Sequence, residues 1–325
     1  MYQFCAEHNI PHERCGKLVV AMTEQELPAL LELERRGQAN GLQNLRRLAG
    51  QELRQYEPHV AGIAGLFVSE TGIVDYLAVT RAYARIISDC GGTIRLGCRF
   101  LSLTNQGQDL VLATSQGPIT CRMVVNCAGL FSDRVARTCG IATPIRIVPF
   151  RGEYYKLRPH SESLVKSLIY PVPDPEYPFL GVHFTRMIHG GVEAGPNAVL
   201  AFQREGYRYW DISLRDMAEL LLFPGFWKMA ARHYRMGMGE FYRSLNKSIF
   251  VRSLRRLLPE IGAADVYRQG AGVRAQALDS DGKLVDDFRI VEGERMVHVL
   301  NAPSPAATAS ISIGRKIAQM VEKLL

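Results

Sequence analysis

The chain has 325 residues, of which 47% are hydrophobic and 22% are charged, so it is long enough to bury a large core in one domain or two interleaved ones. It has no run of about 18 apolar residues, which predicts that no helix crosses a membrane. The formal net charge of +7 suits an anionic substrate or an anionic lipid surface, but without a strongly basic block or zinc-finger spacing it does not favour nucleic acid as a partner.

The pattern of the seven cysteines argues against a metal site and against a redox-active cysteine pair. They are scattered along the chain and form no C-x-x-C pair, so we expect neither a metal site nor a redox dithiol. Several lie in apolar strand patterns, which is typical of small buried side chains in a reducing compartment. We therefore expect a cytoplasmic protein.

In the first part of the chain, local patterns predict a strand followed by helices. The apolar run KLVVA predicts a strand over 17–21. Thr23 and Glu26 have the spacing of a capping box, which predicts that a helix begins there. Apolar residues at helical spacing predict another helix over 79–90, and two glycines end it.

Strand patterns follow this helix. Alternate residues over 94–100 are apolar, as in a strand with one solvated face, and two more strands are predicted over 110–114 and 119–122. The apolar run MVVNCAG (123–129) predicts a buried parallel strand. Ser132 is the predicted N-cap of the helix behind it.

From residue 144 the composition changes, with frequent proline, tyrosine and arginine up to about residue 208. The pieces RGEYYKL (151–157) and YPFLGVHFTR (177–186) resemble strands, so we predict a mostly antiparallel sheet that carries the substrate-binding groups. The sequence pattern predicts basic helices over 212–258 and a final amphipathic helix over 314–325.

An arginine among glycines near the end of the chain forms an informative pattern. Residues 270–275 match G-x-G-x-x-A, but a turn-forming segment follows them, so we interpret the glycines as a tight loop and not as a dinucleotide fingerprint. Arg274 offers a planar fork of donors to a carboxylate. The alternative is a structural salt bridge between Arg274 and Asp279 or Asp281.

The segment NAPSPAATASISIG (301–314) combines small residues with two prolines, which can begin a helix but not continue one backwards. The partial positive charge of a helix N-terminus favours an anionic partner, and small side chains let a flat ring approach. The alternative is close packing of a helix on a sheet without any cofactor.

Taken in order, these pieces resemble the L-2-hydroxyglutarate oxidase and dehydrogenase family of the D-amino-acid oxidase and glycine oxidase superfamily. The resemblance covers nearly the whole chain. The stretches that carry it are RCGKLVVA (14–21), ETGIVDY (70–76), VVNCAGLFSDRVA (124–136), PFRGEYYKL (149–157), LIYPVPDPEYPFLGVHFTR (168–186), GPNAVLAFQREGY (195–207), GVRAQALDSDGKLVDDF (272–288) and NAPSPAATASISIG (301–314).

The resemblance implies a mixed α/β fold, in which a GR2-type FAD-binding sheet is interleaved with an antiparallel substrate-domain sheet. It implies FAD as cofactor, a dicarboxylate substrate, and oxidation of L-2-hydroxyglutarate or a similar 2-hydroxy acid to 2-oxoglutarate. It also implies a quinone as electron acceptor and a peripheral contact with the inner face of the cell membrane. The expected FAD-binding domain is 59–143 with 266–325, and the expected substrate domain is 10–58 with 144–265.

The chain departs from the family pattern at its start. Family members open with a strand, a G-x-G-x-x-G loop, a helix and an acidic residue, and this sequence begins after that unit, about 70 residues late. We therefore expect an FAD-binding sheet that is incomplete at its N-terminus, as in a truncated copy. Two alternatives stay open: a non-catalytic remnant that at most binds a dicarboxylate, and a related FAD-dependent amino-acid oxidase.

The resemblance also implies roles for particular residues. Arg274 matches the arginine that binds the substrate carboxylate, while a hydride moves from the substrate carbon to the flavin and a base takes the hydroxyl proton. His183 is the candidate base because an ordinary histidine titrates near neutrality; the alternative is a packed sheet histidine.

Further residues are expected around the substrate and the cofactor. Arg186 with Thr185 is the candidate clamp for the distal carboxylate. Arg151 and Tyr154 are expected to border the flavin ring, unless Arg151 forms a salt bridge at a strand end. The residues expected to contact FAD, from the adenine to the pyrimidine edge, are Phe100, Asn126, Ala128, Gly129, Asn301, Ser304, Pro305, Ala306, Ala307 and Thr308.

The segment 220–247 mixes leucine, phenylalanine and tryptophan with lysine, arginine and histidine. Such a composition suits the surface of an anionic membrane. The alternative is an ordinary helical cap over the substrate domain.

Overall fold

The chain folds around one large β-sheet and three smaller ones. The computed structural model describes residues 1–173 and 181–325. In these ranges the strands, β1 to β17 in chain order, are His12–Glu13, Lys17–Ala21, Leu45–Ala49, Ala64–Val68, Ile73–Val74, Phe100–Gln106, Asp109–Thr114, Ile119–Cys121, Val124–Asn126, Arg146–Leu157, Leu168–Pro171, His183–Arg186, Val192–Gly195, Val199–Leu200, Val266–Leu278, Arg289–Gly293 and Met296–Asn301. The α-helices of the same ranges, α1 to α9, are Tyr2–Glu7, Leu27–Ala39, Gly50–Tyr56, Tyr76–Asp89, Ser132–Thr138, Leu214–Leu221, Pro224–Leu245, Lys247–Leu254 and Ala306–Leu324. None of these helices has both the length and the hydropathy needed to cross a bilayer.

The large sheet runs in the order β15, β10, β13, β12, β11, β2, β4 and β3, and the short β14 pairs with β10. Its neighbouring strands are antiparallel except for the parallel pair of β2 and β11. This confirms the mostly antiparallel sheet predicted after residue 144 and adds three strands from the first part of the chain. Of the predicted strand over 177–186, residues 177–180 lie outside the described residues.

One face of the large sheet carries most of the hydrophobic core. Successive side chains of a strand point to opposite faces, and Leu18, Ile169 and Phe184 are all buried on this one. Helix α8 covers them, and its Phe250 stacks on Tyr155 with 4.5 Å between the ring centroids. The residues that alternate with these along the strands therefore project to the opposite face.

The opposite face is covered at both ends by helices. At one end α2 packs over β2 and β4, where Leu30 joins Val19 and Leu66 in a small buried cluster, and at the other end α7 packs on Val148 and Leu278 of β10 and β15. A 3₁₀ turn over Glu24–Glu26 follows Thr23, and α2 begins after it at Leu27. Thr23 makes no capping hydrogen bond; the Glu26 carboxylate accepts one from the backbone N–H of Met22 at 2.6 Å. The middle of this face, between α2 and β15, carries polar side chains.

A smaller sheet brings two distant segments side by side. Strands β9 and β17 are parallel, and β16 is antiparallel to β17. This confirms the parallel strand predicted within 123–129. Ser132 does not cap the helix behind it; its hydroxyl donates a hydrogen bond to the Leu300 carbonyl at 3.2 Å. Because the two strands are parallel, the loops after them lie at the same edge of the sheet.

The strand predicted over 94–100 is wrong for most of its length, since β6 begins only at Phe100. Gly97 has a positive φ of 69°, which breaks an extended run. Ile94 and Leu96 are 44% and 84% exposed, so only Phe100, at the end of the alternating pattern, packs in a core.

The tight loop predicted for the glycines of 270–275 is also wrong. These residues lie inside β15, which pairs with β10 over almost its whole length. Cross-strand pairing along so many residues outweighs the weak strand propensity of glycine. The turn comes later, where the Asp279 carboxylate accepts hydrogen bonds from the backbone N–H groups of Asp281 and Lys283.

Strand pairing also bears on the predicted domains. Strand β4 pairs with β2 and β3, and β15 pairs with β10, so both lie in the large sheet. The predicted division places both strands, within 59–143 and 266–325, in the FAD-binding domain. That division stays a prediction.

Candidate functional site

Polar side chains from five strands meet on the open middle of the large sheet. Residues paired across antiparallel strands project to the same face, and the registers align these strands in that way. We call the resulting group the sheet-face cluster; its members are Lys17, Tyr154, Tyr170, His183, Thr185 and Arg274.

Arg274 and Tyr154 form one end of the sheet-face cluster. Burial raises the pKa of Tyr154, and the positive charge of Arg274 and a hydrogen bond between the two side chains oppose that rise. The phenol is therefore neutral at neutral pH and can donate a hydrogen bond of its own. A guanidinium beside a neutral phenol is a donor set suited to a carboxylate. Asp281, one alternative partner for Arg274, lies 3.4 Å from the Lys228 ammonium.

His183 lies at the centre of the sheet-face cluster. Its ring stacks on Tyr170, with 3.9 Å between centroids and 15° between planes. Its Nδ1 is 3.2 Å from the Gly181 carbonyl oxygen, which can only accept, so Nδ1 carries the proton and Nε2 is the basic nitrogen. Burial, helped by the charges of Arg274 and Lys17 and opposed by the hydrogen bond to Gly181, lowers the pKa of His183 to about 4. At neutral pH the imidazole is thus a neutral base.

Tyr170 and Lys17 complete the far end of the sheet-face cluster, and the sequence patterns singled out neither. The Tyr170 hydroxyl is hydrogen-bonded to Thr185, and burial raises its pKa. The Lys17 ammonium lies 5.2 Å from the centroid of the Tyr170 ring. Thr185 was expected in the site, and the structure gives it a place there beside Tyr170.

The structure does not bring Arg151 into the sheet-face cluster. Arg151 projects to the other face, is 2% exposed and lies 3.3 Å from the Glu153 carboxylate. It also donates to the Arg208 carbonyl and lies over the Tyr209 ring, 4.3 Å from the centroid. This is the salt-bridge alternative considered for it.

Arg186 also lies outside the sheet-face cluster. It follows Thr185 directly in β12, so its side chain projects to the other face, where it forms an ion pair with Glu13. Its role as the clamp for a distal carboxylate stays a prediction without support from this geometry.

The carboxyl ends of β9 and β17 form an open edge with room for a flat ligand. Cys127, Ala128 and Gly129 are exposed after β9, as are Ala302, Ser304 and Pro305 after β17. Gly129 has a φ of 52°, and a methyl group added there would meet no atom within 4 Å. In open sheets with parallel strands, ligands bind outside the carboxyl ends.

Strand β15 links this edge to the sheet-face cluster. It contacts both β17 and the turn at Gly129–Phe131. Methyl groups added at Gly270 or Gly272 would also meet no atom within 4 Å, so backbone is accessible beside Arg274. These residues fit a flat cofactor that extends from the open edge toward the sheet-face cluster.

The start of α9 lies at the same edge. Ala306 begins the helix, and Ala307 and Thr308 in its first turn are exposed. The Thr308 hydroxyl is 2.7 Å from the Tyr76 hydroxyl of α4, which fixes the first turn. An exposed helix N-terminus with small side chains can face the electron-rich edge of a ring.

Asn126 shapes the loop after β9, and its predicted contact with the cofactor stays a prediction. It is 4% exposed, donates to the Ser132 carbonyl at 2.8 Å, and accepts from the Ala128 N–H at 3.1 Å. Its side chain therefore determines how the loop presents Ala128 and Gly129.

Asn301 and Phe100 also have structural partners. Asn301 is buried and donates to the carbonyls of Val285 and Asp287 at 2.9 and 2.8 Å. Phe100 packs with Leu110 and Cys139 in the core between the sheet of β6 to β8 and the sheet of β9, β16 and β17. Contact of either residue with a cofactor stays a prediction.

Over residues 1–320 the chain matches the profile of the DAO family, described as FAD dependent oxidoreductase. It is 48% identical to an L-2-hydroxyglutarate dehydrogenase from Indibacter alkaliphilus, over 99% of this chain and 81% of that protein. It is 42% identical to the mitochondrial L-2-hydroxyglutarate dehydrogenase of Mus musculus, over 99% of this chain and 73% of that protein.

Several solved structures share the fold, among them the following two. The L-α-glycerophosphate oxidase from Mycoplasma pneumoniae with FAD bound has a TM-score of 0.76 at 20% identity, over 96% of this chain and 74% of that one. The glycine oxidase from Geobacillus kaustophilus has a TM-score of 0.72 at 16% identity, over 99% of this chain and 76% of that one.

Proposed function

Because the chain belongs to the FAD-dependent oxidoreductases, in the family that includes the L-2-hydroxyglutarate dehydrogenases, we propose that it oxidises L-2-hydroxyglutarate to 2-oxoglutarate. The family resemblance, the mixed α/β fold class and FAD as cofactor, all predicted from sequence stretches, are confirmed. The observation that carries the proposal is the sheet-face cluster, in which a guanidinium, a phenol and a neutral imidazole share one face beside an open edge that fits the cofactor.

In this proposal the C1 carboxylate of the substrate binds Arg274 and Tyr154. Charge-assisted hydrogen bonds from the guanidinium, with a further bond from the phenol, fix the carboxylate and so orient the neighbouring C2 atom. His183 lies close enough to Arg274 for the two to influence each other's charge. The C2 hydroxyl is then directed toward the imidazole.

The Nε2 atom of His183 takes the proton of the C2 hydroxyl as the carbon–oxygen bond becomes a carbonyl. FAD, when bound, would accept the hydrogen on C2 as a hydride, that is, with both electrons of the C2–H bond. A pKa of about 4 makes His183 a weak base in the free protein. Burial is the larger cause of this low pKa and the charges of Arg274 and Lys17 add to it; bound carboxylates would offset those charges, so substrate binding would strengthen the base.

A panel of substrates tests this function on protein supplied with FAD. Reduction of an artificial dye acceptor is measured with L-2-hydroxyglutarate, D-2-hydroxyglutarate, sarcosine and glycine. We expect the highest kcat/KM with L-2-hydroxyglutarate, by about tenfold or more over the other three. A preference for an amine would instead assign the chain to the amino-acid oxidases.

We also propose that residues 207–245 bind the surface of an anionic membrane, where a quinone can accept electrons. Helix α6 has no buried residue among its eight, and Leu214 and Leu222 are 83% and 82% exposed. A groove of about 550 Å³ at Leu222 is lined by four arginines and by Glu219, which forms ion pairs with three of them. The arginines are Arg134, Arg137, Arg146 and Arg215, and their excess positive charge suits lipid phosphates.

Binding to sedimented vesicles that contain phosphatidylserine tests this surface. The double variant Leu214→Ser with Leu222→Ser should bind at least about tenfold more weakly, since burying a leucine contributes on the order of 1.5 kcal/mol or more. Leu96→Ser is the matched control, because Leu96 is 84% exposed and lies between α4 and β6. Equal binding by the double variant and the control would exclude residues 207–245 as the membrane surface.

A further inference from the structure

Lys17 is a second cation on the face that carries Arg274. It begins β2 and pairs with Leu168, two residues before Tyr170, so its side chain projects to the same face as Tyr170 and His183. The ammonium lies 5.2 Å from the centroid of the Tyr170 ring. Neither the composition nor the family resemblance assigned this residue a role.

The contacts of Lys17 leave its charge without a carboxylate partner among residues 1–173 and 181–325. Within these ranges the ammonium contacts the face of the Tyr170 ring. Burial lowers the pKa of the ammonium, which indicates that the charge is partly withdrawn from water. A partly buried cation that lacks an anion costs free energy, and a carboxylate from a ligand would offset that cost.

The two cations of the sheet-face cluster lie on opposite sides of His183. Strand β12, which carries His183, lies between β2 and β15 in the large sheet. Lys17 and Arg274 are both near enough to His183 to influence its charge. A 2-hydroxy dicarboxylate has one carboxylate beside the reacting carbon and a second one farther along its chain, which matches a base placed between two cations.

We propose that Lys17 binds the distal carboxylate of the substrate while Arg274 binds the proximal one, so that Lys17 makes the site select dicarboxylates over monocarboxylates. This inference rests on the function proposed above and names a determinant of its specificity. It gives Lys17 the role that the sequence suggested for Arg186, which pairs with Glu13 on the other face.

Two ligands that differ only in the distal carboxylate test the role of Lys17. Calorimetric titration of the FAD-supplied protein with 2-oxoglutarate and with 2-oxobutyrate compares the two. Lys17→Met should weaken binding of 2-oxoglutarate by about tenfold or more and leave binding of 2-oxobutyrate within about threefold of the wild type. Lys17→Arg, which keeps the charge, should retain the preference for the dicarboxylate.

Kinetics with L-2-hydroxyglutarate and L-2-hydroxybutyrate provide a second readout. Lys17→Met should raise KM for the dicarboxylate much more than it lowers kcat, because the distal contact is present both before and during the reaction. If Lys17→Met does not fold, Lys17→Gln replaces it, with thermal unfolding as the check. Equal loss of affinity for both keto acids, or no loss for 2-oxoglutarate, would overturn the role of Lys17.

This test separates the two proposals. If the wild type oxidises L-2-hydroxyglutarate and Lys17→Met does so equally well, only the inference about Lys17 fails. If the wild type binds 2-oxoglutarate through Lys17 but oxidises no 2-hydroxy acid, the proposed function fails and the dicarboxylate site stands.

Discussion

Replacing Arg274 with methionine is expected to lower kcat/KM for L-2-hydroxyglutarate by about 10²- to 10⁴-fold, because loss of one partner of a buried charge pair costs about 3–5 kcal/mol. Methionine keeps an unbranched apolar stem and removes the donors that, with Tyr154, hold the C1 carboxylate. A loosely held carboxylate also misplaces C2 relative to His183, so both kcat and KM should change. Steady-state dye reduction at matched FAD content measures the effect.

Two variants control for charge and for the general loss of an arginine. Arg274→Lys keeps the charge but cannot bind a carboxylate with a planar fork, so its activity should lie between those of the wild type and Arg274→Met. Arg289→Met removes an exposed arginine at the start of β16 and should leave kcat/KM nearly unchanged. Activity of Arg274→Met within about tenfold of the wild type, at equal FAD content, would exclude Arg274 as the proximal carboxylate ligand.

Replacing His183 with asparagine is expected to lower kcat by about 10²- to 10⁴-fold, the range over which a positioned general base contributes. KM should change much less, since the carboxylate ligands remain. His189→Asn is the matched control, because His189 is exposed and lies 2.8 Å from the Asp75 carboxylate at the surface. A His183→Asn variant with kcat close to that of the control would assign the base to another group.

The pH dependence gives an independent test of His183. With a pKa of about 4, its imidazole is neutral at neutral pH, and wild-type kcat/KM should fall only as the pH approaches 4. The folded pKa lies below the ordinary value of 6.5, so the unfolded chain binds more protons between these pH values. The free energy of unfolding should therefore fall as the pH is lowered from 6.5 to 4. Residual activity of His183→Asn should lack the acid limb.

Regular elements were predictable where the hydrophobic period was strong. The run KLVVA is strand β2, which is buried in the large sheet, and MVVNCAG contains the parallel strand β9. The predicted burial of β9 was only partly right, since Asn126 is buried but Val125 is 41% exposed. Residues 94–99 have the same kind of alternation but no partner strand, and 270–275 have loop-like glycines but a long partner in β10. In both cases the outcome depends on whether the segment pairs with a distant strand. The local sequence carries no information about that pairing.

The same limit applies to the site. Thr185 and Arg186 are adjacent and look equally suited to a substrate, but a strand directs adjacent side chains to opposite faces. Once Leu18 and Ile169 are recognised as core residues, the alternation places Lys17 and Tyr170 on the other face. That signal was present in the sequence and was missed because their strands were not known to be neighbours.

Asn126 illustrates a different limit. Its place beside the cofactor edge was predicted, but its side chain is used within the loop itself, through the carbonyl of Ser132 and the N–H of Ala128. A polar residue that shapes a ligand-binding loop and one that touches the ligand have the same sequence pattern. Only the hydrogen bonds distinguish them.

Anaerobic mixing of the FAD-loaded protein with one equivalent of L-2-hydroxyglutarate tests the central claim most directly. We predict that the visible absorbance of the oxidised flavin is lost and that an equal amount of 2-oxoglutarate forms, whereas D-2-hydroxyglutarate leaves the absorbance unchanged. An unchanged spectrum with L-2-hydroxyglutarate, in protein shown to carry FAD, would contradict the account.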